Sequence, residues 1–296
     1  MNNNNKIYCL NIDEKNIYSK FKSELDNPTN RTTGLTMIEG ECTHIGEGTF
    51  NNVCSANLNK NICIEDKKVI IRYSKYKIIS EIEKSKLDES VKNALFMSEQ
   101  GIGPKIYEIQ YSRLESVLVV MELFDMDLRK FIVTYYKLIS TNNLIKDSLI
   151  TQTVYILKTM AINNLFCIDI KPGNAVIGFD RERRDIKLRF IDVDSDYCKQ
   201  HNYLTDKIYN ELKSLGYTEY DKRDFIYKFM LILFSIHLHT IGYNYLHEIV
   251  KTDVRPNDLI LIKKLIGNSK IITKIFSNYF ENKKSIDDIL NYSIIV

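Results

Sequence analysis

Three polar side chains on one short turn are the strongest chemical signal in this sequence. The stretch FCIDIKPGNAVIGFD, residues 166 to 180, places Asp169, Lys171 and Asn174 around a Pro-Gly pair. An aspartate on a loop can accept a proton from an attacking hydroxyl. A nearby lysine can neutralise a transferring phosphoryl group, and an asparagine oxygen is a suitable ligand for Mg²⁺. A loop of solvated polar residues is the alternative for each residue taken alone.

A second carboxylate follows at the end of a predicted strand. The stretch RFIDVDSD places Asp192 where a carboxylate can bind a metal ion that bridges phosphates. A loop of solvated polar residues could explain either stretch alone. It is a much poorer explanation for Asp169, Lys171, Asn174 and Asp192 occurring together in this order. The combination therefore predicts phosphoryl-transfer chemistry.

A glycine pattern and a strand cation lie earlier in the chain. The stretch GEGTFNNV carries Gly46 and Gly48 between two predicted strands, and glycine lets a backbone approach phosphates closely. An ordinary hairpin turn is the alternative, because a lone glycine pattern is weak. In VIIRY, Ile70 and Arg72 face the same side of a strand, where a cation could hold phosphate oxygens. A solvent-facing arginine is the alternative there.

The surrounding pattern predicts the elements that position these residues. Residues 1–40 are polar and poorly periodic, which indicates a partly ordered N-terminal extension. Strand patterns follow in CTHIGEGTFNNVCSANL, NICIE and KVIIRYSKY, then a helix over about 80–100, then strands in IYEIQYS and SVLVVMELF. Residues 41–124 therefore form a small antiparallel α+β lobe.

The remaining residues, 125–296, are mostly helical by the same criteria. A helical stretch over 128–165 has a break near STNN. Two strands, NAVIGF and IKLRFIDV, flank the charged turn DRERRD, and helical patterns dominate from about residue 203. The apolar run FMLILFSIHLHTI, residues 229–241, is too short to cross a bilayer and predicts a buried core helix.

The order of these features resembles the protein kinase fold. It runs from a Gly-rich hairpin through a strand cation, a helix and VMEL to DIKPGN and a strand-end aspartate, over about residues 41–240. IDIKPGN is similar to the kinase catalytic loop H-R-D-L-K-P-x-N. The resemblance implies a bilobal kinase-like fold, ATP and Mg²⁺ as cofactors, and transfer of phosphate to a serine or threonine hydroxyl on a protein.

The resemblance also implies a role for each matched residue. Asp169 would be the catalytic base, Lys171 would contact the γ-phosphate, and Asn174 and Asp192 would bind metal. Nucleotide contacts fall on Ile45, Gly46, Glu47, Gly48, Val53, Ile70, Arg72, Glu89, Met121, Glu122, Leu123 and Asp127.

The kinase resemblance assigns a specific role to several of these residues. Asn51 stands in place of the third glycine, Met121 is the gatekeeper, and the backbone of Glu122 and Leu123 would bond adenine. Asp127 would contact the ribose. Glu89 would pair with Arg72, with Glu81, Glu83 and Glu99 as rivals, and Asp224 would brace the catalytic loop, with Asp221 as its rival.

The sequence also departs from the kinase pattern. Arg72 replaces the usual lysine, whose reach and donor geometry differ, and Ile70 replaces a small alanine. Cys167 and Ile168 replace His-Arg, and Asp192-Val193-Asp194 lacks the flexible glycine. Residues 179–215 contain neither Gly nor Pro, so the usual peptide-docking platform is reduced.

Two alternative functions therefore stay open. One is a pseudokinase scaffold that binds with weak or no catalysis, and the other is a kinase-fold enzyme that phosphorylates a small molecule.

Composition excludes other classes of function. A net charge of +3 is too small to argue for nucleic-acid or membrane partners. The kinase resemblance implies a protein as substrate or binding partner. The six cysteines form no C-x-x-C pair, and no signal peptide is visible. We therefore expect a cytoplasmic protein in a reducing compartment without a disulfide framework. DVDSD is not a calcium loop, because Tyr197 and Tyr203 replace the required Gly and Glu, and His237 and His239 are too close in sequence for a helical metal pair.

Overall fold

The chain divides into two compact units, Met1–Phe124 and Asp125–Val296. The structure is a computed structural model that describes residues 14–31, 34–47, 51–59, 68–180, 185–199, 210–211, 213–214 and 221–268. Across these residues the fold is mixed α and β, with seven helices and a five-stranded antiparallel sheet. The predicted strand NICIE and Gly48 lie outside the described residues.

The first unit is built on the five-stranded sheet. Its strands lie in the order β1-β2-β3-β5-β4, and every pair is antiparallel. The expected strands are confirmed wherever the chain is described. The elements are α1 Glu14–Asp26, β1 Ile38–Glu47, β2 Asn51–Leu58, β3 Lys68–Ser74, α2 Glu81–Glu99, β4 Ile106–Tyr111 and β5 Val117–Glu122.

Strand alternation divides the core of this unit between the two faces of the sheet. One face buries a cluster from the central strands that includes Cys54, Ile71 and Val120. The other buries Ile109 and Val117 together with side chains from α1 and α2, and Val119 and Met121 pack against that cluster. Helix α2 therefore covers the face to which Val119 and Met121 belong.

Helix α2 begins and ends at clear sequence signals. Ser80 Oγ accepts the Glu83 N–H at 3.2 Å, and Glu83 Oε2 accepts the Ser80 N–H at 3.0 Å, which forms a capping box. Gly101, with a φ of 63°, follows the last turn, where a left-handed residue ends a helix. The helix predicted over about 80–100 is confirmed.

The N-terminal extension contains a helix that the sequence analysis did not identify. Helix α1 packs along β4, the edge strand of the sheet. Glu24 on α1 is 2% exposed, and its Oε2 accepts the backbone N–H of Tyr111 at 2.9 Å. Glu108 on β4 in turn accepts the N–H groups of Thr36 and Met37. These bonds satisfy and cover an edge that would otherwise be open for pairing.

The second unit joins a small hairpin sheet to a group of helices. The break near STNN is confirmed at Asn142, which caps the second of two successive helices. The elements are β6 Met126–Asp127, α3 Leu128–Thr141, α4 Asn143–Ile162, β7 Phe166–Cys167, β8 Ala175–Asp180, β9 Asp185–Phe190, β10 Cys198–Lys199, α5 Lys222–Thr240, α6 His247–Asp253 and α7 Pro256–Asn268. β8 lies between β6 and β9, and β7 pairs with β10.

Helix α5 is the core of the second unit, as the apolar run predicted. Every residue from Phe225 to Leu238 is buried. The Phe229 ring lies 5.3 Å from that of Phe166 on β7, and the Phe234 ring lies 5.3 Å from that of Phe190 on β9. These contacts fix the strands that precede the candidate site. None of the helices in the described ranges has the length and apolar character needed to cross a membrane.

Two disulfides form among the cysteines of the described residues, so the expectation of a chain without a disulfide framework is wrong. Cys42 is bonded to Cys54, and Cys167 is bonded to Cys198. The second pair is separated by 31 residues in sequence, yet its members lie directly opposite each other in the β7–β10 pair. Linear spacing does not reveal a cross-strand neighbour, which is why the pattern was missed.

Candidate functional site

The loop between β7 and β8 alternates between core anchors and exposed polar groups. Ile168, Ile170 and Pro172 are buried, while Asp169 and Lys171 are partly exposed. Pro172 also opens a short 3-10 turn that ends at residue 174, and its fixed φ suits that position. The apolar residues therefore tie the loop to the core and direct the two charged side chains away from it.

The loop brings three predicted site residues into direct contact. Lys171 Nζ donates to both carboxylate oxygens of Asp169, at 2.9 and 2.8 Å. Asn174 Nδ2 donates to Asp169 Oδ2 at 2.9 Å and to the Asp169 backbone carbonyl at 3.0 Å. Charge-assisted bonds from two directions hold the carboxylate in one orientation.

The Asn174 amide is oriented by the same bonds. Both of its contacts are donated by Nδ2 to oxygens of Asp169, and the opposite orientation would set oxygen against oxygen. Its Oδ1 has no hydrogen-bond partner within the described residues, although the residue is only 7% exposed. This oxygen is not among the fully buried polar atoms that lack a partner, so it is open to a ligand such as a metal ion.

The backbone ties this loop to the strand end that carries Asp192. Ile191 donates its N–H to the Asn174 carbonyl at 2.8 Å, and Ala175 pairs with Phe190 in the β8–β9 ladder. Asp192 itself has a φ of 64°, in the left-handed region that costs a non-glycine residue about 1–2 kcal/mol. Such residues cluster at functional sites, where surrounding structure enforces them.

A buried histidine that the sequence analysis treated only as a rejected metal ligand lies near this loop. His237 on α5 is 8% exposed, and burial lowers its pKa to about 4. The Asp169 carboxylate raises this pKa by its charge, and the Lys171 ammonium lowers it further. The imidazole is therefore neutral at pH 7 and electrostatically coupled to the polar loop.

In the first unit, strand register places four predicted nucleotide contacts on one face of the sheet. Val53 on β2, Arg72 on β3 and Val119 on β5 lie opposite one another, and Ile70 lies opposite Met121 in the next row. Directly paired residues share a face, and Arg72 and Ile70 are two apart on one strand. This is the face that α2 covers.

Arg72 lies beside the residue that follows the glycine turn. With the Asn51 amide oxygen turned toward it, Arg72 donates from Nε at 3.1 Å and from Nη2 at 2.8 Å. Asn51 is therefore a polar partner of the strand cation and not only a replacement for glycine.

The contacts of α2 reduce the number of glutamates that could pair with Arg72. Glu83 belongs to the capping box, and Glu81 Oε1 accepts from Lys84 Nζ at 2.6 Å. Glu99 is exposed at the end of the helix, whereas Glu89 is half-buried. Glu89 stays the preferred partner as a prediction.

The described part of the glycine turn is open. A Cβ added to Gly46 would meet no protein atom within 4 Å, so nothing in the described structure requires glycine there. Ile45 is 53% exposed, and Glu47 Oε2 accepts from Lys75 Nζ at 3.0 Å. The Lys75 ammonium lowers the pKa of Glu47 through this bond.

The predicted hinge and ribose contacts have local structural partners as well. Glu122 donates its N–H to the Lys105 carbonyl at 2.8 Å, so this donor is already used. Leu123 is exposed. Asp127 caps α3 by accepting the Lys130 N–H at 2.8 Å on Oδ1, a role signalled by its place before a helix.

The expected brace from Asp224 or Asp221 is wrong. Asp221 caps α5 by accepting N–H groups of that helix, and Asp224 Oδ2 accepts from Lys228 Nζ at 2.6 Å. Both carboxylates thus stabilise the helix start instead of the loop at 168–174, because a first-turn aspartate finds free N–H groups next to it.

Comparisons of the whole chain with known proteins do not identify a family for it. No protein-family model matches this chain, and no curated protein matches it. Within the described ranges no group of three or more His, Cys, Asp and Glu side chains could hold a metal ion. A metal held by Asn174 and Asp192 would therefore need further ligands from a substrate.

Proposed function

We propose that this chain is an ATP- and Mg²⁺-dependent phosphotransferase, a divergent protein kinase-like enzyme that phosphorylates serine or threonine hydroxyls on a protein. In this proposal the two units correspond to the N-lobe and C-lobe of a kinase-like fold. The observation that carries it is the Asp169 carboxylate, held by Lys171 and Asn174 on a loop bonded to the strand end before Asp192. These are the groups that phosphoryl transfer requires for acceptor, phosphate and metal.

Asp169 would orient the acceptor hydroxyl and accept its proton. Its carboxylate is partly exposed and held from two sides, so it needs no rearrangement to receive a donor. The Lys171 ammonium, 2.8 Å from the carboxylate, would lie near the transferred group and neutralise its charge.

The metal would be held by Asn174 Oδ1 and the Asp192 carboxylate. The amide orientation that leaves Oδ1 without a partner among the described residues supports this choice. When bound, Mg²⁺ neutralises charge on the nucleotide phosphates and keeps several ligands from water and phosphate.

The nucleotide would contact the α2-covered face of the sheet. Val53, Ile70 and Met121 supply apolar surface for a base, and Arg72 supplies a planar cation for phosphate oxygens. Gly46 supports this role, because open space around it would let a phosphate approach the backbone.

Binding without transfer is the second candidate, and Ile70 favours it. This branched side chain lies opposite Met121 on the proposed nucleotide face, where a small residue would leave more room for a base. A pseudokinase scaffold would keep the fold and the polar loop while binding nucleotide weakly.

Label transfer from γ-labelled ATP tests the proposal. Purified protein with Mg²⁺ should label itself or a generic protein substrate, and Asp169→Asn should lower the rate by about 10²–10⁴, the usual contribution of a positioned base. Asp147→Asn is the matched control, because it makes the same change on the exposed side of α4. Nucleotide binding with no transfer by the wild type would support the scaffold instead.

A further inference from the structure

The Cys167–Cys198 disulfide encloses the second unit's part of the candidate site in one covalent ring. Cys167 lies two residues before Asp169, and Cys198 follows the turn after Asp192. The ring formed by residues 167–198 therefore contains Asp169, Lys171, Asn174 and Asp192. The β8–β9 ladder and the Ile191 N–H bond to the Asn174 carbonyl also join the two ends, and the disulfide adds a covalent link between them.

The strand pairing at the same place is short. β7 and β10 are two residues each, and Ile168 donates its N–H to the Tyr197 carbonyl at 3.0 Å beside them. On the other side of the turn, Tyr197 and Cys198 donate to the Asp194 carbonyl at 3.0 and 2.8 Å. A two-residue ladder is a short pairing, and the disulfide adds a covalent restraint to it.

We propose that Cys167 and Cys198 form a redox-modification site that controls the order of the segment after Asp192. With the bond formed, residues 192–198 are held against the loop that carries Asp169. With the bond reduced, the short β7–β10 pair opens more often, and Asp192 loses one of the restraints that keep it in the left-handed conformation. The effect on catalysis rests on the proposed function, whereas the effect on local order does not.

The chemistry is reversible thiol–disulfide exchange with a dithiol. A dithiol thiolate attacks one sulfur, a mixed disulfide forms, and the second thiol releases the protein as two free thiols. Two electrons pass to the protein, and the dithiol leaves as its own disulfide. A low-molecular-weight disulfide supplies the reverse reaction. Cys167 and Cys198 are each 2% exposed, so attack needs the pair to open first.

The second disulfide is an internal comparator. Cys42 is exposed, while its partner Cys54 is 1% exposed, and both belong to the first unit. A dithiol can therefore attack the Cys42 sulfur without opening of the second unit. Cys42→Ser removes this bond and leaves the Cys167–Cys198 pair intact.

Hydrogen exchange with mass spectrometry, on full-length protein, tests the proposal. Alkylation under denaturing conditions without reductant should first show Cys167 and Cys198 linked. Reduction by dithiothreitol should then speed exchange at the amides of residues 191–198 by about tenfold or more, in wild type and in Cys42→Ser alike. Cys198→Ser should show the fast exchange in both redox states.

Phosphate-label transfer on the same samples separates this inference from the proposed function. Lower transfer after reduction of Cys42→Ser, with a redox-insensitive low rate in Cys198→Ser, is the expected result. Exchange that responds to redox state with no transfer under any condition would reject the phosphotransferase and keep the redox site. Free thiols at 167 and 198 after oxidation, or identical exchange in both states, would overturn the redox site.

Discussion

The two units position their candidate residues by different physical means. In the first unit, Val53, Ile70 and Arg72 take their places from strand register, because alternation assigns each side chain to a face. In the second unit, Asp169 and Asn174 take theirs from side-chain hydrogen bonds on a loop of irregular backbone.

This difference teaches which changes each unit can tolerate. A single side-chain replacement on the sheet leaves the register intact, since backbone bonds and buried neighbours maintain it. Replacement of Asp169 in the polar loop removes a partner from both Lys171 and Asn174, and such networks do not respond additively. We therefore expect changes in the first unit to act at the replaced side chain with little effect on local order. Changes in the polar loop of the second unit should alter local order, pH response and chemistry together.

The largest expected effect is a loss of stability in acid caused by His237. Its pKa is about 4 in the fold against an ordinary value of 6.5, so between these values the unfolded chain binds a proton that the folded chain does not. Stability is thus lost as pH falls from 6.5 to 4, by up to about 3 kcal/mol at 1.4 kcal/mol per pKa unit. Urea unfolding of wild type and His237→Gln at pH 7 and pH 4 measures the difference. Equal losses in the two proteins would show that burial does not keep His237 neutral.

Arg72 provides the next effect, in the first unit. Charge-assisted contacts are worth about 1.5–3 kcal/mol, so Arg72→Ala should weaken ATP binding roughly ten- to a hundredfold. Lys68→Ala removes a charge from the exposed start of the same strand and is the control. Arg72→Lys sharpens the test: an enzyme adapted to arginine should lose transfer rate, whereas a scaffold impaired by arginine should gain ATP binding. Unchanged binding in both variants would remove Arg72 from the nucleotide site.

Gly46→Ala should have the smallest effect, and it separates ATP affinity from the stability of the fold. Gly46→Ala should leave the melting temperature unchanged or slightly higher, because the added methyl meets no protein atom and a strand glycine is entropically costly. Affinity for ATP should fall by about 1 kcal/mol, the low end of an overpacking penalty, if a phosphate approaches this backbone. Gly34→Ala, in equally open space, is the control for both measurements. A fall in melting temperature without a change in affinity would assign Gly46 a folding role.

Sequence reasoning succeeded where one local rule decides the structure. The helix predicted over about 80–100, the break near STNN and the buried run at 229–241 were each predicted from residue types at fixed spacing. The contact between Asp169 and Asn174 also follows, since a short turn keeps both side chains close.

Sequence reasoning failed in two situations. It missed contacts between residues far apart in sequence, and it assigned a distant contact to a residue whose partner lies on the same helix. Glu24 on α1 bonds Tyr111 across most of the first unit, and Cys167 meets Cys198 only after β10 returns to β7. Asp224 was assigned a distant role, yet Lys228 lies one helical turn away. The apolar run predicted that α5 is buried, but it did not show that the imidazole of His237 would be buried with the apolar side chains and have a lowered pKa.

The central claim is that the polar loop of the second unit holds metal-bound phosphates. The most direct test is to measure how nucleotide binding by Asp192→Asn depends on Mg²⁺. Calorimetry should compare wild type, Asp192→Asn and the control Asp147→Asn, each with ATP in Mg²⁺ and with ATP in a chelator. The account predicts that Asp192→Asn weakens binding of Mg-ATP roughly tenfold or more, about 1.4 kcal/mol or greater, and changes binding of metal-free ATP far less. Equal losses in the two conditions, or no loss in either, would contradict it.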